Sequence, residues 1–118
     1  MKASDPNDVR RLLTQLCRSR GARRHTPSDA RPCDWRPTQV ADPRSHEGLP
    51  FSPAGAWEFV ADQLESGCEI KEIVLDKPPG KRAYVVLADG ARGHPRIYVK
   101  LELGAGVVYA RSFHSSKY

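Results

Sequence analysis

The 118-residue sequence predicts an α+β fold, with a twisted antiparallel sheet of four consecutive strands packed against helices in two layers. Two observations lead to this prediction. Helical periodicity is confined to two segments within the first 66 residues, whereas strand-like patterns separated by short turns fill the chain from residue 68 onward. Consecutive strands with short connections form an antiparallel meander, and one face of such a sheet is usually covered by helices. The length is sufficient for one modest core.

The first helix is predicted over about residues 6–20. Asp5 can cap it, Pro6 suits the first helical position, and Gly21 provides a stop. Apolar residues follow at helical spacing, namely Val9, Leu12, Leu13 and Leu16.

Residues 22–50 lose this periodicity and contain five of the ten prolines, which is typical of a long loop or a partly disordered segment. Trp35 and Val40 are the side chains expected to anchor it onto the core. We therefore divide the chain into an N-terminal helix and loop over residues 1–50 and an α+β domain over residues 51–118.

The second helix begins at Ser52-Pro53, where a capping residue precedes a proline, and ends near Gly67. Strands are predicted over 68–75 and 83–88. The last two occupy RIYVKLELGAGVVYARSFHSS, residues 96–116, on either side of a GAG loop. The buried stripe of the helix consists of Trp57, Val60, Ala61 and Leu64, and it is expected to cover Ile97, Val99 and Leu101.

The polar face of the last two strands is the candidate functional surface. Pairing Leu103 with Val107 places Tyr98 opposite Ser112 and leaves the small Ala110 on the polar face. This pairing places Arg111 with Tyr109 and Phe113 on the core side, so either the strand is bulged there or Arg111 lies beyond the edge of the helices. The predicted polar side chains are Arg96, Tyr98, Lys100, Glu102, Ser112 and His114.

The net charge of +5 is distributed in blocks of +4 for residues 1–48, −5 for 49–76 and +6 for 77–118. Such blocks favour a polarised field, and a basic strand pair favours a polyanion such as RNA as partner. No apolar run approaches the roughly 18 residues of a membrane span. The three cysteines form no CxxC, and the cysteines and histidines lack zinc spacing, so we expect a reduced cytoplasmic protein without metal or cofactor.

Metal-free RNA cleavage is the chemistry that this face could perform. Attack of a 2′-hydroxyl on its neighbouring phosphate needs a base, an acid and cations. His114 is the histidine of this face, the residue type most often used as a general acid or base, and Tyr98 can donate or relay a proton. Arg96, Lys100 or Arg111 could hold the phosphate.

Two other interpretations stay open at this point. A strand rich in Arg, Tyr, Lys and Glu is commonly a solvated sheet face, and His114 could be an inert edge residue. The basic face could also belong to a non-catalytic module that binds nucleic acid or a partner protein.

Tyr98-Val99-Lys100, followed by a hydrophobic strand and Ser112-Phe113-His114, resembles the C-terminal strands of the MqsR-like branch of RelE-type bacterial toxins. In that family a YxK strand precedes a strand ending in SF and a basic residue. The passage from Leu64 to Lys71 is similar to a junction of the family that ends in a catalytic lysine. The resemblance covers residues 57–118.

The resemblance implies a small mRNA interferase of a type II toxin–antitoxin pair, which cuts mRNA either free or on the ribosome, with a cognate antitoxin as partner. It implies catalytic roles for Lys71, Tyr98 and His114, with histidine standing in place of a lysine. A glutamine of the family has no counterpart, and Arg82 or Tyr84 occupies that neighbourhood, where either could contact the RNA.

Overall fold

The computed structural model describes residues 6–116, in which two helices cover one face of a six-stranded sheet. The predicted α+β class is confirmed, and the predicted cap at Asp5 lies outside the described residues. The helices are α1 (Pro6–Arg18) and α2 (Pro53–Glu65). The strands are β1 (Arg23–Arg24), β2 (Asp34–Trp35), β3 (Ile70–Val74), β4 (Arg82–Ala88), β5 (Ile97–Leu103) and β6 (Val108–Ser115).

The sheet has the order β1-β6-β5-β4-β3, and β2 also pairs with β6. The four long strands β3 to β6 pair antiparallel with their sequence neighbours. β1 and β2 are two residues each and run parallel to β6. The sheet therefore has six strands where the sequence predicted four, because two dipeptides of the N-terminal segment extend its edge.

α2 forms as its sequence predicts. The Ser52 side chain accepts a hydrogen bond of 2.9 Å from the backbone N–H of Gly55, and Pro53 opens the helix. Gly67 adopts a φ of +90° just after the helix, which a residue with a side chain rarely does. Trp57 is buried and belongs to the same core cluster as Ile97, Val99 and Leu101, so the predicted covering of this sheet face is confirmed.

Residues 22–50 contain little regular secondary structure beyond β1 and β2, as expected of a long loop, and they pack against the core. Trp35 packs between Trp57 and Phe113, with ring centroids 4.8 Å and 5.3 Å away. Val40 is buried, as expected of an anchor. These few apolar side chains are enough because the segment also gains backbone pairing along β6.

α1 contributes to the same core instead of standing apart from it. Leu13 and Cys17 are fully buried in the cluster that contains the residues of α2. The Arg10 guanidinium donates hydrogen bonds to the carbonyls of Leu64 and Cys68 at the end of α2. Residues on both sides of position 50 therefore build one hydrophobic core.

The two helices are each 13 residues long, and none in the described range is long and apolar enough to cross a membrane. Cys17, Cys33 and Cys68 are free thiols. Burial raises the pKa of the Cys17 thiol to about 12.

The basic N-terminal block of the sequence forms ion pairs with the acidic block. Arg18 bonds to Glu58 and Asp62 on α2, each at 2.8 Å. Arg23 also reaches Glu58, and Arg44 reaches Asp62. The basic N-terminal block thus meets the acidic block on the helix side, so the expected polarised field is reduced there.

Candidate functional site

The candidate site lies on the face of the sheet turned away from the helices, which we call the outer face. Side chains alternate between the two faces of a strand, so this face follows from the core positions and the pairing. Its members include Lys71, Val85, Leu87, Tyr98, Lys100, Glu102, Tyr109, Ser112 and His114, together with Asp34 from β2, which pairs with Ser112.

A β-bulge in β6 sets the register of this face. Leu103 pairs with Val108 instead of Val107, and the register shifts again between Lys100 and Leu101. Arg111 is the extra residue, as in the bulged alternative that the sequence allowed. Near the hairpin the prediction was therefore wrong, because Ala110 lies in the core and Tyr109 pairs with Glu102 on the outer face.

Beyond the bulge, Tyr98 and His114 become direct cross-strand neighbours. Their rings are stacked, with centroids 5.2 Å apart and planes inclined by 17°. His114 Nδ1 lies 3.0 Å from the Ser115 carbonyl, which can only accept a hydrogen bond, so Nδ1 is the nitrogen that donates there and Nε2 is the one that can accept a proton. Burial raises the pKa of the Tyr98 phenol.

Lys100 occupies the neighbouring row of the outer face, between Val85 and Ser112. Burial lowers the pKa of its ammonium group, and the positive charge of Arg111 lowers it further, while Asp34 opposes both effects. Ser112 is buried beside it. Lys100 is therefore a partly desolvated cation next to the ring pair.

Asp34 is a member of the site that the sequence analysis missed. Its Oδ2 lies 3.6 Å from His114 Nε2, and its Oδ1 lies 2.5 Å from Arg36 Nε. The position of Trp35 could have revealed Asp34, because Trp35 was expected to point into the core. In an extended segment the preceding residue must then point to the opposite face.

Lys71 and Arg96 line a surface pocket of about 340 Å³ at the β3 side of the outer face. Val85 and Leu87 of β4 lie between Lys71 and the ring pair, since Leu87 pairs with Tyr98. The structure thus brings Tyr98, His114 and Lys100 together. Of the two other predicted cations, Lys71 lies two strands away on β3, whereas Arg96 directly precedes β5, two residues from Tyr98.

Arg111, predicted to hold a phosphate, serves the structure instead. It is buried, and its guanidinium donates to Glu102 and to the carbonyls of Pro32 and Lys77. Arg31 also binds the Glu102 carboxylate, through two hydrogen bonds of 2.9 Å. Burial would raise the pKa of Glu102, but the hydrogen bonds from both arginines lower it below the ordinary value.

Tyr84 and Arg82 lie on the helix side of the sheet, so the structure does not bring them to the outer face. Tyr84 is buried in the core cluster and pairs with Leu101. Its hydroxyl donates to Glu72, which also forms an ion pair with Arg82 at 3.4 Å. The alternation of β4 turns both side chains away from Tyr98 and His114, so they do not join the predicted site on the outer face.

Within residues 6–116, no group of three or more His, Cys, Asp and Glu side chains is arranged to hold a metal ion. Comparisons of the chain with protein-family models, curated proteins and solved structures find no significant match. The chemical arrangement of the outer face is therefore the basis for a functional proposal.

Proposed function

We propose that this protein is a metal-independent endoribonuclease, the toxin of a type II toxin–antitoxin pair, and that it cleaves single-stranded RNA on the outer face. The observation that carries the proposal is the stacked pair of Tyr98 and His114 beside the half-buried Lys100. Two side chains able to transfer protons adjoin a partly desolvated cation. Cleavage of a phosphodiester by its own 2′-hydroxyl requires these three functions.

In the proposed reaction the 2′-oxygen forms a bond to phosphorus while the bond from phosphorus to the 5′-oxygen breaks. His114 Nε2 accepts the proton of the 2′-hydroxyl, and the nearby Asp34 carboxylate stabilises the imidazolium that forms. Tyr98, with its raised pKa, keeps its proton at neutral pH and donates it to the departing 5′-oxygen, a stronger base than a phenolate. The products are a 2′,3′-cyclic phosphate and a 5′-hydroxyl.

Lys100 supplies the positive charge at the reacting phosphate. Its place in the row next to Tyr98 and His114 puts an ammonium group beside the atoms on which negative charge builds up. Lys71 and Arg96 lie further along the outer face and contact the part of the RNA next to the reacting phosphate. Single-stranded RNA suits such a surface because its bases can turn away from one another and stack on exposed rings.

The proposal is tested by inducing the wild-type protein and His114→Ala in bacteria and comparing growth with RNA integrity. Purified proteins are then incubated with single-stranded RNA in the presence of a chelator. We expect the wild type to stop growth and to leave 2′,3′-cyclic phosphate ends. His114→Ala should cleave about 10²–10⁴-fold more slowly while still binding RNA.

His46→Ala is the matched control, because His46 is exposed in the loop before α2 and away from the outer face. Equal cleavage by wild type and His114→Ala would contradict the mechanism. RNA binding without cleavage by the wild type would favour a non-catalytic binding module.

A cognate antitoxin is the partner that this function implies. We expect a neighbouring gene that encodes a small DNA-binding protein, and co-expression of that protein should restore growth. The cytoplasm is the compartment in which both mRNA and such a partner are available.

A further inference from the structure

The pocket beside the ring pair has the size of a site for one nucleobase. Its volume of about 340 Å³ lies at the lower end of the range typical of small-ligand sites, about 300–1,000 Å³. Val85 and Leu87 give it an apolar surface on β4. Leu87 is 37% exposed, so a flat ring could lie against it.

Charged groups of both signs surround this apolar surface. Lys71 and Arg96 provide two cations, and Glu69 and Asp89 provide two carboxylates. All four are exposed, and their side chains form no hydrogen bond or ion pair with other residues in the described range 6–116. Four unpaired charges around one pocket are available to a ligand that has both an anionic group and hydrogen-bond donors.

The loop between β4 and β5 holds Asp89 and Arg96 close together. A side chain at Gly90 would collide with the carbonyl oxygen of Pro95, so the two ends of the loop approach each other closely there. Asp89 and Arg96 flank this contact directly. The two opposite charges at this end of the pocket are therefore placed by the backbone.

The pocket adjoins the proposed reaction centre through the register of the sheet. Leu87 pairs with Tyr98, and Tyr98 pairs with His114. Since adjacent strands are about 4.8 Å apart, the Leu87 backbone lies roughly 10 Å from that of His114. An RNA strand whose scissile phosphate lies at Tyr98 and His114 can therefore place a neighbouring base against Leu87.

We propose that this pocket binds the nucleobase adjacent to the scissile phosphate and selects bases that carry an exocyclic amino group over uracil. This inference rests on the proposed function. Lys71 and Arg96 contact the phosphate of that nucleotide, and Glu69 or Asp89 accepts a hydrogen bond from its amino group. Uracil presents a carbonyl oxygen in place of the cytosine amino group, and a carboxylate gains no hydrogen bond from it.

The test compares binding of two single-stranded hexamers, 2′-O-methyl cytidine and 2′-O-methyl uridine, which cannot be cleaved. Their bases differ in the 4-substituent, amino in cytosine and oxo in uracil, and in the hydrogen that uracil carries on the adjacent N3. We expect the wild type to bind the cytidine hexamer about 5–10-fold more tightly, a modest share of what one good base contact provides. Fluorescence anisotropy at fixed salt measures both dissociation constants.

The double variant Glu69→Gln/Asp89→Asn should bring the ratio of the two constants close to one, since a carboxamide can donate to uracil as well as accept from cytosine. Asp76→Asn removes an exposed carboxylate outside the pocket and should leave the ratio unchanged. Leu87→Trp should fill the pocket and weaken the binding of both hexamers.

Equal binding of the two hexamers by the wild type, binding of neither, or an unchanged ratio in the double variant would overturn the assignment of the pocket. Cleavage of RNA is measured separately on an unmodified strand. Cleavage without any preference would overturn the pocket alone, whereas a preference without cleavage would overturn the proposed nuclease and leave a base-selective binding surface.

Discussion

The phenol ring of Tyr98 is stacked on the imidazole of His114, with the ring centroids 5.2 Å apart across two antiparallel strands. The two residues become neighbours only because the bulge at Arg111 shifts the register of β6. Direct cross-strand neighbours lie closer together than any other pair on a sheet face. One inserted residue thus decides which pairs of side chains on this face can act together.

Tyr98→Phe separates proton transfer from stacking. The phenylalanine ring can keep its contact with His114, but the hydroxyl that is proposed to protonate the 5′-oxygen is lost. We expect cleavage to slow by about 10²–10⁴-fold with little change in RNA affinity. Tyr109→Phe makes the same change on the same face, away from the ring pair, and should cleave normally. An equal loss of cleavage rate in Tyr98→Phe and Tyr109→Phe would exclude a specific role for Tyr98.

Lys100→Ala should weaken RNA binding in a salt-dependent way. Loss of one phosphate contact to a single strand lowers the slope of log affinity against log salt by about 0.7. Titrations at several salt concentrations measure this slope, and Lys81→Ala, in the exposed turn before β4, is the control. A slope identical to that of the wild type would mean that Lys100 contacts no phosphate.

The lowered pKa of Lys100 also predicts that RNA binding depends on pH. Because burial lowers the pKa of this ammonium group, its charge is lost at a lower pH than for an ordinary lysine as the solution becomes alkaline. Binding by the wild type should therefore decline on the alkaline side before that of Lys100→Arg, whose guanidinium stays charged. Parallel curves for the two proteins would contradict this assignment.

Asp34→Asn should reduce cleavage without reducing binding. The Asp34 carboxylate lies 3.6 Å from His114 Nε2, and a partly exposed charge pair is worth about 0.2–1 kcal/mol. Cleavage should therefore slow only a few-fold, while RNA binds as well as before or more tightly because a negative charge has been removed. Weaker binding would instead indicate that the substitution disturbs β2. Asp76→Asn is again the control.

Glu102→Gln should destabilise the fold severely. It leaves the buried Arg111 without its counter-charge, and breaking one partner of a buried pair costs about 3–5 kcal/mol. Urea unfolding measures the loss. Glu72→Gln, which removes an exposed pair with Arg82, should cost less than about 1 kcal/mol.

The lowered pKa of Glu102 predicts how the stability of the protein changes in acid. The pKa of Glu102 is lower in the folded protein than in the unfolded chain, so its contribution is complete above an unfolded value of about 4.3. That contribution is lost as the pH falls through the lower folded value. The unfolding free energy of the wild type should therefore fall more steeply below about pH 5 than that of Glu102→Gln.

Trp35→Ala should release residues 22–50 from the core. Loss of the contacts with Trp57 and Phe113 removes the main apolar anchor of this segment. We expect limited proteolysis to cut there in the variant and to spare the wild type, with a loss in stability of about 2–4 kcal/mol. His46→Ala, in the same segment but exposed, should resist cleavage. Rapid cutting of the wild type would contradict the packing described above.

The sequence by itself determined the α+β class, both helices and the positions of the four long strands. Local signals are strong for these elements, as with the cap at Ser52 and the alternation from Ile97 to Leu103. The sequence also indicated that Tyr98, Lys100 and His114 share one face of the sheet.

Only the tertiary structure decided the register and the composition of the site. The bulge at Arg111 and the pairing of Asp34 with Ser112 depend on contacts between residues far apart in the chain, and no local pattern encodes them. Arg111 itself donates to the carbonyls of Pro32 and Lys77, which are 79 and 34 residues away in the chain. A strand alternates with a period of two, so a shift of one residue exchanges the two faces, and long-range packing alone selects between them.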